Sequence, residues 1–471
     1  MKKIVKILLI ILMIVVSAIC PNGVFAKDNS DLLPQLYFYG DLDKLTSKED
    51  KTKIKIEYKD GNNSFDGYAE IKWQGSSSIN YEKKNYTIKL YKDSNLEEKL
   101  KVDFGWGKQN KYCLKANWID KTHSRNIVTA KLASKIQKKY NLFNDTPNNG
   151  VIDGFPIEIY LNGEFLGLYT MNIPKDAWMF NMDEDNSKHT AIVGDMNNSV
   201  VFFNSNIDEF SDWELEVGED NEETLKAFNR LITFVKDSTD EEFKENINEY
   251  FNLDSLLNYY SVFQLAELHD NQAKNMMLVT YDQKVWYTSL YDLDTSWGTH
   301  WYGNSLFEYS IPIQCSSLLW SKLERTFPNE IANRYFELRK DILSKENILK
   351  EFYSFYNSIP ENTFKKENER WKNIPGYDLK QVEDFLSVRI PVIDKHIGDM
   401  FTVNAGVYGY CIKEDDNIIM KVEPLRNDIK IETNSSYTFD KSGTAIFIYS
   451  DYAGSMGYVE ADALIYKNLF E

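Results

Sequence analysis

Asp270 and Asn275 stand five residues apart, and Asp292 and Asp294 follow after a stretch patterned like a β-hairpin with its turn near Gln283. These side chains are oxygen donors. Mg2+ is commonly held by one or two carboxylates together with phosphate and water. Phosphoryl transfer from a nucleotide needs such a metal site to neutralise the phosphates, and a further carboxylate to take the hydroxyl proton. Asp270, at a helix end, can supply the base; Asn275, from the following strand, and Asp292, returning after the turn, can supply metal ligands. Asp294 is a further ligand on the same strand face as Asp292, provided the strand continues. A calcium loop of the EF-hand type is excluded at Asp292–Gly298, because Trp297 stands where a glycine is required and no glutamate closes the loop. His269 reads as structural and His300 as a residue lining the cleft, neither having another histidine at ligand spacing.

The flanking patterns say what positions these groups. Leu253, Leu256, Leu257, Tyr260 and Phe263 recur at helical spacing and lead directly to Glu267–Asp270. Leu225, Phe228, Leu231, Ile232 and Val235 mark an earlier helix, and helices are expected again over about 317–400. The N-terminal third reads as antiparallel β. Leu36–Tyr39, Ile54–Tyr58, Tyr68–Trp73, Tyr86–Leu90 and Tyr112–Lys115 are strand-like, and Phe155–Tyr160 and Glu164–Met171 are joined by Asn162-Gly163, a strong hairpin signal. Ser124 is a plausible N-cap for a helix carrying Ile127, Leu132 and Ile136. Residues 182–223 are acidic and rich in Asn and Ser, and read as a mobile or poorly packed insertion.

Lys2, Lys3 and Lys6 precede an apolar run from Ile4 to Cys20, and Val24-Phe25-Ala26 offers a small-residue cleavage site, so residues 1–26 are expected to be a signal peptide and the protein secreted or at the cell surface. Membrane association is expected only through that leader. The formal charge is −18, and losing three leader lysines leaves −21. Such a surface repels nucleic acid and suits solubility or a basic partner. Cys113, Cys315 and Cys411 lie far apart without metal-ligand spacing, and Cys113 and Cys411 read as buried thiols rather than as a disulfide scaffold. Near Val403 the pattern changes to short strands, so residues 403–471 are expected to form a small β-sandwich appended to an α+β domain over 31–400.

Asn252–Gly298 resembles the CotH family of atypical, secretory-type protein kinases, known from bacterial spore coats. The correspondence lies in the helix, the Asp270-x4-Asn275 pair and the signature Tyr291-Asp292-Leu293-Asp294-Thr295-Ser296-Trp297-Gly298. Trp73-Gln74-Gly75-Ser76-Ser77-Ser78 with Lys83-Lys84-Asn85-Tyr86, Ala116–Asp120 with Arg125-Asn126, and the Ile159–Tyr169 hairpin resemble further blocks of the family in the same order. Three positions depart from the pattern. Gln74 stands for Arg, Tyr291 for Trp, and Asn172-Ile173-Pro174 occupies the place of an acid that commonly follows the hairpin.

The resemblance implies a kinase-like domain, β-rich at its N-terminal part and helical at its C-terminal part. It implies Asp270 as the catalytic aspartate, ATP and Mg2+ or Mn2+ held through Asn275 and Asp292, and a phosphate-binding lysine that is Lys83 or Lys84; Lys115, on a strand ahead of a helix, is the rival by its position. The implied activity is transfer to Ser or Thr of an exported or surface protein, and the acidic surface suits a basic, Ser-rich substrate. The alternatives are a kinase-fold surface binding protein with weak or no turnover, favoured by the leader, the missing acid and a C-terminal module resembling bacterial Ig-like domains, and a spore-coat assembly protein. Neither substrate identity nor oligomeric state is legible from the chain.

Overall fold

The computed structural model describes residues 32–462 apart from 62, 199, 305–310, 314, 404–406, 415–416, 425–429, 440–443 and 451–455. The leader, Cys20 and the turns at Ser442-Gly443 and Ala453-Gly454 lie outside the described residues.

Period-two alternation in the N-terminal third produces a closed barrel rather than an open sheet. Its strands are β1 (Gln35–Tyr39), β2 (Thr52–Lys59), β3 (Ser64–Gln74), β4 (Asn85–Tyr91), β7 (Lys111–Lys115), β8 (Gly154–Leu161) and β9 (Glu164–Asn172), in the order β1-β2-β3-β4-β7-β9-β8. The short strands β5 (Val102–Asp103) and β6 (Lys108–Gln109) form a ribbon beside it. Neighbours pair antiparallel, except that β1 closes the ring parallel to β8, with Leu36 opposite Ile159. Alternate residues such as Phe38, Ile56, Ile71, Ile88, Leu114 and Ile157 share one apolar core. The β8–β9 turn has positive φ at both Asn162 and Gly163, as a two-residue hairpin turn requires.

After β7 the chain enters α1 (Arg125–Lys139), which starts after Ser124 as expected, although the Ser124 side chain makes no capping bond and Asp120 accepts the Arg125 N–H at 2.7 Å instead. Four antiparallel strands then make a second sheet. They are β10 (Thr190–Gly194), β11 (Trp213–Val217), β12 (Met276–Thr280) and β13 (Tyr287–Leu290), in the order β11-β10-β12-β13. The expectation of a poorly packed insertion over 182–223 is corrected here. All five residues of β10 are buried in the interior of that sheet, and Val201, Phe203 and Trp213 are fully buried. The apolar residues of this segment are few, but they fall where the neighbouring strands need them.

Helices α2 (Glu222–Asp237), α3 (Asp240–Asn246) and α4 (Leu253–Leu265) precede the β12–β13 hairpin. Helices α5 (Leu318–Thr326), α6 (Pro328–Arg339), α7 (Lys345–Asn357), α8 (Glu361–Arg370) and α9 (Leu379–Val403) follow it. Helix α4 is buried on nearly every face, and Ser255 on it bonds Thr288 of β13 through both backbone and side chain, at 3.1 and 2.8 Å. The main body is α+β, as expected. Beyond it lie β14 (Val407–Glu414), β15 (Asn417–Pro424), β16 (Lys430–Ile431), β17 (Ser436–Phe439), β18 (Thr444–Ser450) and β19 (Met456–Asp462), which form two three-stranded sheets, β14-β15-β17 and β16-β18-β19.

Candidate active site

The β12–β13 pairing sets the register of the site. Met276 lies opposite Leu290, so Asn275 and Tyr291 sit together at the open end of the hairpin. Asp270 opens a single 3-10 turn immediately before β12. The Asn271 amide in that turn donates to the Tyr291 carbonyl at 2.8 Å, tying the turn that Asp270 opens to the far strand. Asn275 has φ +65 and donates its N–H to Gly194 at 2.8 Å. Its carboxamide has no hydrogen-bond partner among the described residues and is available to a ligand.

β13 ends at Leu290, and Asp292 takes φ +53. Asp292 and Asp294 therefore lie on a turn, not on one face of a continuing strand. The turn is held by the Asn126 side chain of α1, which accepts from Leu293 N at 3.0 Å, and by Trp297 N donating to Ala266 at 2.7 Å. Gly298 closes it at φ +80, where a Cβ would come within 2.6 Å of Gln381 and Phe385 on α9.

Lys115, the last residue of β7, reaches across from the barrel and pairs with Asp292 at 3.2 Å. The ammonium is nearly buried, while the carboxylate is 35% exposed. Burial would lower the Lys115 ammonium, but Asp292, Tyr291 and Asp294 outweigh it and hold the charge. Burial would raise Asp292, but Lys115 outweighs it and keeps the carboxyl below its usual range. Asp294 goes the other way, pushed up to about 7 by burial and by the charge of Asp292, with Asp270 contributing. Asp292 is thus held ionised while Asp294 is pushed toward its neutral form. The donors Asn275, Asp292 and Asp294 suit a hard divalent cation, which would release the Asp294 proton.

The other two lysines are engaged elsewhere. Lys83 is fully buried, paired with Glu367 of α8 at 2.6 Å, bonded to the carbonyls of Ala116 (3.0 Å) and Leu168, and set 4.3 Å from the Tyr169 ring centroid. Lys84 bonds the carbonyls of Ile79 (2.7 Å) and Tyr81 and lies over Trp73. Both stabilise the segment after the Gly75–Ser78 turn. Of the three lysines, Lys115 is the one the fold brings to Asp292. The turn itself approaches Lys115 through Asn85, whose side chain accepts from Ala116 N at 2.7 Å and donates to Ser78 at 3.2 Å.

A family model described as CotH kinase protein matches residues 71–393, more than half of the chain and all of the site just described. The chain belongs to the CotH kinase protein family. No match was found among curated proteins. Membership supports a kinase-like function.

The CotH departures have structural counterparts. Gln74 donates to the Tyr291 hydroxyl at 3.4 Å, so two of the variant positions meet. Asn172 is buried at the end of β9, opposite Cys113 and Gly154, and its carboxamide has no hydrogen-bond partner among the described residues.

Sequence reasoning missed several groups. Asn197, within the segment read as an insertion, donates to Asp270 at 3.0 Å. Glu267 and Arg389 form a buried pair at 3.6 Å beneath the Asp270 turn, with Glu267 at φ +59 and Arg389 donating to the Gln264 carbonyl. Lys175, three residues past β9, lies 5.1 Å from the Tyr291 ring centroid. Its basic residue beside Asp176, directly after the hairpin, was the available clue.

Proposed function

We propose that this protein is an exported Mg-ATP-dependent protein kinase that phosphorylates Ser or Thr hydroxyls. The observation that carries this reading is the Lys115–Asp292 contact, which joins the barrel to the turn bearing Asp294, within reach of Asp270 and Asn275. A barrel-side lysine, an Asp on the turn after a hairpin and an Asp-x4-Asn pair at its start are the parts that phosphoryl transfer uses. Asn275, Asp292 and Asp294 would hold Mg2+ or Mn2+, which neutralises phosphate charge. Lys115 would bind the nucleotide phosphates. Asp270 orients the acceptor hydroxyl and takes its proton as the new P–O bond forms; the electron pair of the breaking bond leaves with ADP. The leader-like N-terminus supports export, and the net charge of −18 suits a basic substrate.

Incubating the full-length chain with labelled ATP, Mg2+ or Mn2+ and a basic, Ser-rich protein tests the reading. Label should appear on the substrate and vanish with Asp270→Ala and Asp292→Ala. Transfer that persists in both variants refutes the site. The second reading, a surface binding protein without turnover, is favoured by Asn172 standing where the CotH pattern has an acid. It requires that Mg-ATP at millimolar concentration leave the melting temperature unchanged.

A further inference from the structure

Lys175 has a setting that packing alone does not account for. The chain leaving β9 is pinned around it. Asp176 pairs with Lys111 of β7 at 2.9 Å and accepts the Trp178 N–H at 3.1 Å. From this fixed backbone the Lys175 side chain turns inward and is only 19% exposed. Glu214 (2.8 Å) and Glu216, alternate residues on one face of β11, hold its ammonium. The same ammonium faces the Tyr291 ring at 5.1 Å, and Lys115 lies 5.6 Å from that ring. Two cations thus border the residue that precedes Asp292.

We propose that Lys175 is a second nucleotide-binding cation of this cleft, gripping the phosphates beside Tyr291 together with Lys115. The inference rests on the kinase reading above. Its physical basis is a division of labour. The partner of Lys115 is Asp292, a carboxylate that a bound divalent cation would claim. The partners of Lys175 are two glutamates outside the metal-ligand set, which keep it charged and oriented when the metal is in place. Burial would lower the Lys175 ammonium, but Tyr291, Glu216 and Glu214 outweigh it. Its charge also acts on the Asp292 carboxylate. A carboxylate-positioned lysine aimed at phosphates is the device that protein kinases use for orientation as well as charge.

Mg-ATP titration of the full-length chain, followed calorimetrically or by thermal shift, tests this. Lys175→Met should raise the Mg-ATP Kd by about tenfold or more, the loss of a charged hydrogen bond. Lys175→Arg should restore most of the affinity. Because Lys175→Met strands two carboxylates, the triple variant Lys175→Met/Glu214→Gln/Glu216→Gln carries the test if the single variant does not fold. It should bind equally weakly despite a restored melting temperature. Binding within twofold of wild type in the triple variant, alongside loss of binding in Asp292→Asn, overturns the role of Lys175 and leaves the kinase reading standing. Wild-type affinity in both, or no binding by the wild type, overturns the two together.

Discussion

Lys83→Met separates a structural lysine from a phosphate-binding one. Glu367 would then keep a single hydrogen bond, from Leu168 N at 2.7 Å, with neutral His123 3.8 Å away and its side chain 2% exposed. Burial holds the His123 pKa well down, with Lys83 adding to it in the wild type. Breaking a buried pair by removing one partner costs about 3–5 kcal/mol. An unfolding entropy of about 2.1 cal/mol/K per residue over residues 32–403 gives roughly 0.8 kcal/mol/K, so the melting temperature should fall by about 4–6 °C. Removing both charges, in Lys83→Met/Glu367→Leu, should recover all but about 1–2 kcal/mol, the cost of leaving Leu168 N without its acceptor.

The decisive comparison adds Mg-ATP. At a hundredfold excess over Kd, binding contributes about 2.7 kcal/mol, or 3–4 °C on the same scale. That increment should survive intact in Lys83→Met and disappear in Lys115→Met. Differential scanning calorimetry with and without nucleotide measures both quantities in one series. A Lys83→Met protein that melts with the wild type yet gains nothing from Mg-ATP would refute the assignment of Lys115 and return Lys83 to the phosphates.

Asn197→Ala removes the 3.0 Å clamp on Asp270 and should lower kcat by about tenfold while leaving the KM for ATP unchanged, read from initial rates of label transfer. Arg389→Met strands the buried Glu267 carboxylate and should cost about 3–5 kcal/mol in denaturant titrations, with Arg389→Met/Glu267→Leu largely restored. Glu216 is pushed up to about 7 by burial and by Glu214, against the pull of Lys175. Its folded value exceeds its unfolded one, so ionisation costs stability that grows as pH rises from about 4 and levels off above 7. Glu216→Gln should therefore match wild type near pH 4 and exceed it by up to about 2–3 kcal/mol at pH 8, measured by urea unfolding at the two pH values.

What could be read from the chain was what is decided locally. The Asn162-Gly163 turn and the start of α1 after Ser124 each depend on a few adjacent residues, and each stands where expected. Closure of the barrel depends on β1 meeting β8 more than a hundred residues later, in parallel, and no pattern within either strand encodes that partner. The inner position of β10 was hidden for a related reason. Five residues cannot announce burial when β12, which covers their second edge, comes from a distant part of the sequence.

The three lysines show why site residues of one type resist ranking from sequence. Lys83 and Lys84 stand in a block resembling the family pattern, whereas Lys115 was the rival without such a label. Their roles are set by what waits at the end of the side chain. For Lys83 that is Glu367, 284 residues away on a helix that packs against β9. For Lys115 it is Asp292, 177 residues away on a turn that Asn126 and Ala266 hold in place. A buried ammonium whose carboxylate is also buried is committed to the fold. One whose carboxylate is a third exposed is less committed, and the difference between the two pairs is the exposure of the acid.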